Sequence, residues 1–229
     1  MLKRMNLIPM LALSAVLAGC AAPPRAHYYT LMPPPGTSAS GASTNGAGVG
    51  GATTVTTAGE YAISVQPVTI PAQVDRPQIV VGMDGSAQVV PLNQSLWVSP
   101  LDGQVRRALA DDLTARLGVL DIAANAAPRS LPVWEVFLTV ERFDLVFGKK
   151  TVLDATWRLE PVHRPGWRSN ICRVEIVTAV GPGVPALVAG QRAAIRTLSS
   201  LIAARITGKP ASSRGASTVV DKGCVSPGL

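Results

Sequence analysis

The chain has 229 residues, of which 47% are apolar and 15% charged, and its formal net charge is +7. This apolar content excludes a chain that is disordered throughout, because disordered chains combine low hydrophobicity with high charge. After the first 20 positions no uncharged apolar run reaches the roughly 18 residues of a membrane span, which argues against a polytopic membrane protein. The length predicts one domain of ordinary size with tails. With two His, three Cys and no paired Cys spacing, the sequence predicts neither a metal site nor a cofactor.

The N-terminus has the pattern of a bacterial lipoprotein signal peptide. Two basic residues precede an apolar stretch at 7–18, which ends in the sequence LAGC at Cys20. We predict that residues 1–19 are removed and that Cys20, carrying a diacylglyceryl lipid, is the first residue of the mature chain. The alternative is an uncleaved anchor with an incidental Cys, although the apolar stretch is shorter than the roughly 20 residues that cross a bilayer. Ala21 follows the Cys, which is typical of lipoproteins sent to the outer membrane.

The segment 33–59 differs in composition from its surroundings. All of its residues are Gly, Ala, Ser, Thr or Pro except Asn45, Val49 and Val55. Such a segment buries too little surface to offset its ordering entropy, so we predict a flexible linker between a lipidated N-terminus at 20–32 and a domain. As a coil its ends would lie roughly 30 Å apart, which would lift the domain off the membrane. A GxGxxG match inside it lacks the flanking strand and helix of a dinucleotide site, so we interpret it as compositional.

Hydrophobic periodicity predicts the elements of a domain over residues 60–229, which ends in a C-terminal tail. The predicted elements are a strand at 61–70 interrupted at Pro67, strands at 78–82 and 87–91, a helix at 101–118, strands at 134–147, 151–160 and 170–180, and a helix at 185–207. Asp84-Gly85 is typical of a hairpin turn, and a phase change near Glu141 interrupts the alternation of its strand. The last three strands predict an antiparallel meander. We therefore predict an α+β fold, an antiparallel-rich sheet with two amphipathic helices packed on one face.

Two cysteines, Cys172 and Cys224, remain after Cys20 is assigned to the lipid. An exported protein meets an oxidising compartment, so we predict a disulfide between them. This disulfide would pin the tail at 212–229 onto the sheet. The alternative is two free thiols.

A series of short motifs runs through nearly the whole mature chain. The motifs are the lipobox followed by Tyr28-Tyr29-Thr30-Leu31, then Ile63-Ser64-Val65 leading to Val68-Thr69-Ile70-Pro71, then the stretches 74–80, 96–101 and 198–203. Together they resemble the PqiC-like auxiliary lipoproteins of ABC-type transporters, and Asp75-Arg76-Pro77-Gln78 is the most specific block. The resemblance implies a lipoprotein on the periplasmic face of the outer membrane. It would work with an MCE-domain protein and a membrane permease to move lipids across the periplasm. The segment 33–59 is longer than this family leads us to expect.

Six residues are candidates for contact with a partner: Tyr28, Tyr29, Asp75, Arg76, Pro77 and Trp97. The segment 28–31 is either an edge strand or a membrane-proximal segment without a partner. The loop 75–77 is either a contact surface or a turn that an internal ion pair holds. Trp97 either packs over the start of the first helix or takes part in recognition. Arg192, Arg196 and Arg205 of the second helix face either solvent or an anionic partner.

Catalytic residues are not suggested by any motif. His27 and His163 lie apart in the sequence, GxSxG, HExxH and Walker motifs do not occur, and Asp111 and Asp112 point in different directions on a helix. We therefore predict a protein that is not an enzyme. The basic charge would suit nucleic acid, but the predicted compartment and the lack of interleaved aromatic residues argue against that partner.

Two functions remain open. In the first, a lipid-anchored adaptor docks on a periplasmic lipid-conducting partner, with a homo-oligomeric ring as one form of assembly. In the second, a stand-alone periplasmic carrier binds lipid in its own cavity between sheet and helices.

Overall fold

The structure is a computed structural model that describes residues 25–32, 60–211 and 217–226. The predicted signal peptide, Cys20 and the predicted linker at 33–59 lie outside the described residues. The described elements, in chain order, are β1 His27–Tyr29, β2 Ala62–Val65, β3 Gln78–Gly82, β4 Val89–Trp97, α1 Leu101–Leu117, a short 3₁₀ helix Ala124–Ala126, β5 Val133–Val146, β6 Lys150–Val162, β7 Asn170–Ala179, α2 Val184–Thr207 and β8 Ser217–Val225.

The strands form one mixed sheet in the order β1-β4-β3-β5-β6-β7-β8, and β2 also pairs with β5. The pairs β3–β4, β5–β6, β6–β7 and β7–β8 are antiparallel, whereas β1–β4, β2–β5 and the end of β3 against β5 are parallel. The α+β class and the antiparallel-rich sheet are therefore confirmed. The phase change near Glu141 is a β-bulge, since the register with β6 shifts between Val140 and Arg142.

Both helices pack on the face of the sheet that carries the apolar side chains of β5, β6 and β7. Leu153, Ala155, Trp157 and Leu159 of β6 are almost fully buried there, beneath the apolar stripe of α2. Each helix ends at a glycine in the left-handed region, Gly118 with φ 68° and Gly208 with φ 69°, as the sequence predicts. The packed layer fixes α1 and α2 against each other and against the sheet.

The N-terminal segment is part of the sheet. Residues His27–Tyr29 pair in parallel with β4, and Leu31 is buried in the core. Of the two alternatives for the segment 28–31, the structure therefore shows the edge strand, which includes Tyr28 and Tyr29. The predicted linker at 33–59 follows β1 in the chain and lies outside the described residues, so its role stays a prediction.

Two further strands differ from the prediction. The second hairpin strand, β4, runs over Val89–Trp97 rather than 87–91. It contains Pro91, which the sheet tolerates because β1 pairs only with Ser95–Trp97 and leaves β4 as an edge strand at Pro91. The tail contains β8, which pairs with β7 from Ile171 to Thr178. The tail therefore extends the sheet by a full strand.

Candidate partner-docking site

The candidate residues of loop 75–77 and Trp97 line one groove of about 350 Å³, at the point where β4 ends and α1 begins. The docking groove, as we call it, is lined by Asp75, Arg76, Pro77, Trp97, Val98, Ser99, Pro100 and Leu101. Two segments that are distant in sequence, 75–77 and 97–101, line it, and backbone hydrogen bonds hold them to each other and to β1.

Two of those hydrogen bonds set the shape of the docking groove. The N–H of Trp97 donates to the carbonyl of Pro77 at 2.7 Å, and the N–H of Val98 donates to the carbonyl of Tyr29 at 2.9 Å. Tyr29 lies opposite Trp97 in the parallel β1–β4 pair, so β1 borders the groove. On the other side, Arg76 donates its backbone N–H to the carbonyl of Val74 at 2.9 Å and closes a tight turn. Backbone contacts thus bring five of the six candidate residues together, whereas Tyr28 lies opposite Leu96 on β1 and does not line the groove.

Trp97 forms the inner wall of the docking groove. Only 5% of its surface is exposed, and its ring meets that of Phe143 edge-to-face, with 6.2 Å between the centroids. Packing in the core is therefore the role that the structure shows for Trp97. The ring supports the groove from below.

Asp75 and Arg76 form the charged rim. Both are exposed, and neither has an ion-pair partner among the described residues, so an internal ion pair does not hold this turn. One exposed apolar side chain of the same lining lies beside them, Val98, which is 59% exposed. A pair of unneutralised charges next to apolar surface is chemically suited to a protein partner.

Gln104 holds β1 in place, and the sequence analysis does not single it out. Its side chain is 4% exposed; Oε1 accepts the N–H of Leu31 at 2.9 Å, and Nε2 donates to the carbonyl of Ser99 at 2.7 Å. The signal in the sequence is a glutamine on the apolar stripe of α1, between Leu101 and Val105. A polar residue at such a position needs buried partners.

A disulfide joins Cys172 and Cys224, which lie directly opposite each other on β7 and β8 with Cα atoms 4.1 Å apart. The two residues are 52 positions apart in the sequence. The bond fixes the tail strand β8 to the sheet at the edge that is farthest from β1.

Two arginines of α2, Arg192 and Arg196, lie near charged residues of α1. Burial lowers the pKa of Arg192, and the neighbouring charge of Arg196 lowers it further. Burial raises the pKa of Asp112 on α1, although Arg116 and Arg196 partly offset this rise. Arg116 also donates to the backbone carbonyl of Arg196 at 3.2 Å. These charges belong to the contact between the helices.

Other classes of site receive no support from the described part of the chain. No group of His, Cys, Asp and Glu side chains in it is arranged to hold a metal ion. No helix within the same residues combines the length and apolar character that crossing a bilayer requires.

The likeness to solved structures concerns the fold. A crystal structure of an uncharacterized protein is 19% identical with a TM-score of 0.55, and the match covers 80% of this chain and 99% of that one. A crystal structure of a protein from Xanthomonas campestris, assigned to family DUF330, is 14% identical with a TM-score of 0.46, covering 65% and 86%. No curated protein matches the chain.

The family assignment comes from the sequence over most of the folded unit. The family described as ABC-type transport auxiliary lipoprotein component matches residues 46–203. The match spans α1, most of α2 and the strands from β2 to β7. Since it covers well over half of the chain, the protein belongs to this family, as the resemblance of its motifs predicts.

Proposed function

We propose that the protein is a non-catalytic auxiliary subunit of an ABC-type lipid transport system, which docks a periplasmic lipid-conducting partner to the outer membrane and supports membrane integrity. The family is described as an auxiliary lipoprotein component of ABC-type transport, which supports an auxiliary role. The observation that carries the proposal is the docking groove, where Asp75 and Arg76, without ion-pair partners among the described residues, lie beside exposed Val98.

The proposed partner is an MCE-domain protein, which works with a permease in the inner membrane. An MCE-domain partner would present a protein surface in the periplasm, and the mixed charged and apolar rim of the docking groove suits such a surface. A homo-oligomeric ring of auxiliary subunits is the proposed form in which several docking grooves act together.

The position of β1 supports docking close to the membrane. His27 lies seven positions after Cys20, and an extended chain spans at most about 3.6 Å per residue, so the start of β1 lies within about 25 Å of the lipidated residue. Because Tyr29 borders the docking groove, a partner held there is brought near the bilayer surface. Several acyl chains on Cys20 would make the attachment stable.

Site-specific cross-linking tests the docking groove. A photoreactive amino acid replaces Arg76 in the lipidated protein, and the native envelope is irradiated and analysed by mass spectrometry. We expect a cross-link to an MCE-domain protein from position 76. A matched probe at Arg129, an exposed residue in the loop before β5, should give none. Equal cross-linking from both positions, or none from position 76, would refute docking at this groove.

The anchor has its own test. Cys20→Ala should leave the Tm unchanged, because the described fold begins after this residue, and should release the protein from envelopes washed with carbonate. A variant that stays in the washed membrane fraction would show that the lipid on Cys20 is not the anchor.

The alternative, a stand-alone periplasmic lipid carrier with a cavity between sheet and helices, receives less support. The side chains of α2 that face the sheet, Leu187, Ala194, Ile195, Leu198 and Ile202, are at most 1% exposed. From Leu187 to Ile202 this layer is filled by protein, as interiors generally are.

A further inference from the structure

A second groove, of about 620 Å³, lies at the opposite edge of the sheet from the docking groove. It opens where α2 ends and is bounded by the last turn of α2 and by the helix-facing sides of β6, β7 and β8. Trp134, Trp157 and Asn170 line its inner part, and Arg168, Arg205 and Lys209 line its rim. We call it the basic groove.

The inner wall of the basic groove contains polar atoms without partners. Five buried side-chain polar atoms of the described residues have no hydrogen-bond partner, and three of them belong to this wall: Nε1 of Trp134, Nε1 of Trp157 and Oδ1 of Asn170. These three side chains are 7%, 3% and 8% exposed. Buried polar groups are normally paired, because an unpaired one costs free energy. The wall therefore offers two donors and one acceptor to an occupant.

The rim of the basic groove attracts anions. Arg168, Arg205 and Lys209 are exposed, and none has a carboxylate partner within the described residues. Asp221 is the only acidic residue of the lining in that part of the chain, and its Oδ1 already accepts the N–H of Gly223 at 2.8 Å. The C-terminus of α2 contributes about half a negative charge, which Arg205 and Lys209 more than balance. The surplus at the rim is positive.

The walls of the basic groove are apolar and aromatic. Leu201 and Val174 line it, and Trp134 stacks on Trp167 with 4.6 Å between ring centroids. Tyr61 meets the same Trp167 ring edge-to-face at 5.9 Å. Indole rings combine a large apolar face with one donor and are enriched where apolar and aqueous phases meet. This composition suits an amphiphile better than a small ion.

We propose that the basic groove binds one molecule of an anionic glycerophospholipid. The phosphate would lie at the rim between Arg205, Lys209 and Arg168, where charge-assisted hydrogen bonds are strongest. The glycerol region would bring oxygen acceptors to the indole N–H groups and a hydroxyl donor to Oδ1 of Asn170. Acyl carbons would lie against Leu201 and Val174. The volume is within the range of sites for single small ligands.

The basic groove shares no residue with the docking groove, so this inference does not depend on the proposed adaptor role. The two proposals can fail separately. Variants in the basic groove should leave the cross-link from position 76 unchanged, and variants at position 76 should leave lipid binding unchanged.

Native mass spectrometry of the lipidated full chain, released from a neutral detergent, tests the proposal. Dihexanoyl phosphatidylglycerol, dihexanoyl phosphatidylcholine and inorganic phosphate are titrated separately. We expect one bound phosphatidylglycerol per chain, with phosphatidylcholine bound at least tenfold more weakly. Inorganic phosphate should displace phosphatidylglycerol only at concentrations at least a hundredfold higher. No retained phosphatidylglycerol, or equal retention of both lipids, would overturn the proposal. If inorganic phosphate displaced phosphatidylglycerol at a concentration equal to that of the lipid, the groove would be a site for free anions, and the proposal would also be overturned.

Two variants and a matched control locate the binding. Arg205→Ala with Lys209→Ala should weaken phosphatidylglycerol binding at least tenfold, whereas Arg107→Ala with Arg129→Ala removes the same charge from exposed positions elsewhere and should change it less than twofold. Ala204→Trp places a large ring into the basic groove and should abolish retention. An unchanged Tm shows that each variant is folded. Equal effects of the two double variants, or full binding by Ala204→Trp, would contradict a site in this groove.

Discussion

The backbone N–H of Leu31 donates a hydrogen bond to Oε1 of Gln104 at 2.9 Å, across 73 positions of the sequence. The same amide donates from Nε2 to the carbonyl of Ser99 at 2.7 Å. One buried side chain therefore connects the segment that follows the predicted lipidation site to the loop that lines the docking groove. This connection makes β1 a structural part of the domain.

Replacing Gln104 should loosen that connection. Gln104→Leu leaves the Leu31 N–H and the Ser99 carbonyl without their partner, and an unpaired buried group costs about 1–3 kcal/mol. We expect a loss of this size in the free energy of unfolding and faster hydrogen exchange at Leu31. Gln88→Leu, at an exposed position in the β3–β4 turn, is the control. Unchanged exchange at Leu31 in the Gln104 variant would contradict the account.

Gly190 lets α2 approach β6 closely. A Cβ atom on this residue would lie 2.5 Å from Cγ1 of Val180 and 3.0 Å from the Thr151 side chain. Helix propensity alone would favour alanine by about 1 kcal/mol, but overpacking of a core typically costs about 1–3 kcal/mol. We expect Gly190→Ala to lower the free energy of unfolding by about 1 kcal/mol net. Adding Val180→Ala relieves the shorter contact and should recover part of the loss. A stabilised single variant would show that the helix can move away without cost.

The disulfide should stabilise the edge of the sheet. In the chain-entropy model, a bond across 52 positions contributes about 4 kcal/mol. Cys224→Ser is the cleaner variant because Cys224 is exposed, whereas Cys172 is buried. We expect a lower Tm and faster hydrogen exchange along β8 under oxidising conditions, with no difference from wild type after reduction. An equal Tm under oxidising conditions would show that strand pairing alone holds β8.

Asp112 predicts a pH dependence of stability. Burial raises the pKa of Asp112 above its usual 3.8, so the folded state binds this proton more tightly than the unfolded state. Its contribution to stability is complete below about pH 3.8 and is lost as the pH rises through the folded-state pKa. Asp112→Asn should therefore raise the Tm at pH 7, and the difference should shrink towards pH 4. Asp111→Asn, at the exposed neighbouring position, is the control. A lower Tm for Asp112→Asn at pH 7 would show that its arginine neighbours dominate.

Long elements with a regular pattern could be predicted from the sequence. The strands β5, β6 and β7 and both helices begin and end within two residues of the predicted bounds, because alternation or an apolar stripe persists over ten residues or more. The bulge after Val140 could be predicted as well, since an inserted residue reverses the alternation.

Strands that form only because they pair with a longer neighbouring strand could not be predicted fully from the sequence. β1 has three residues and β8 is exposed along most of its length, so neither carries a clear pattern. Each exists because it pairs with a longer strand. The docking groove depends on the β1–β4 pair. The sequence could therefore name Tyr29, Asp75 and Trp97 as candidates but could not place them together.

Affinity purification of the lipidated protein from its native envelope, with mass spectrometry of proteins and lipids, tests the central claim most directly. Val98→Ala with Arg76→Ala alters the lining of the docking groove, and Leu120→Ala with Arg129→Ala makes matched changes at exposed positions elsewhere. We predict that an MCE-domain protein is recovered with the wild type and with the matched control, and is lost with the groove variant. Recovery of lipid without any transporter protein, or recovery of the MCE-domain protein with all three forms, would contradict docking at this groove.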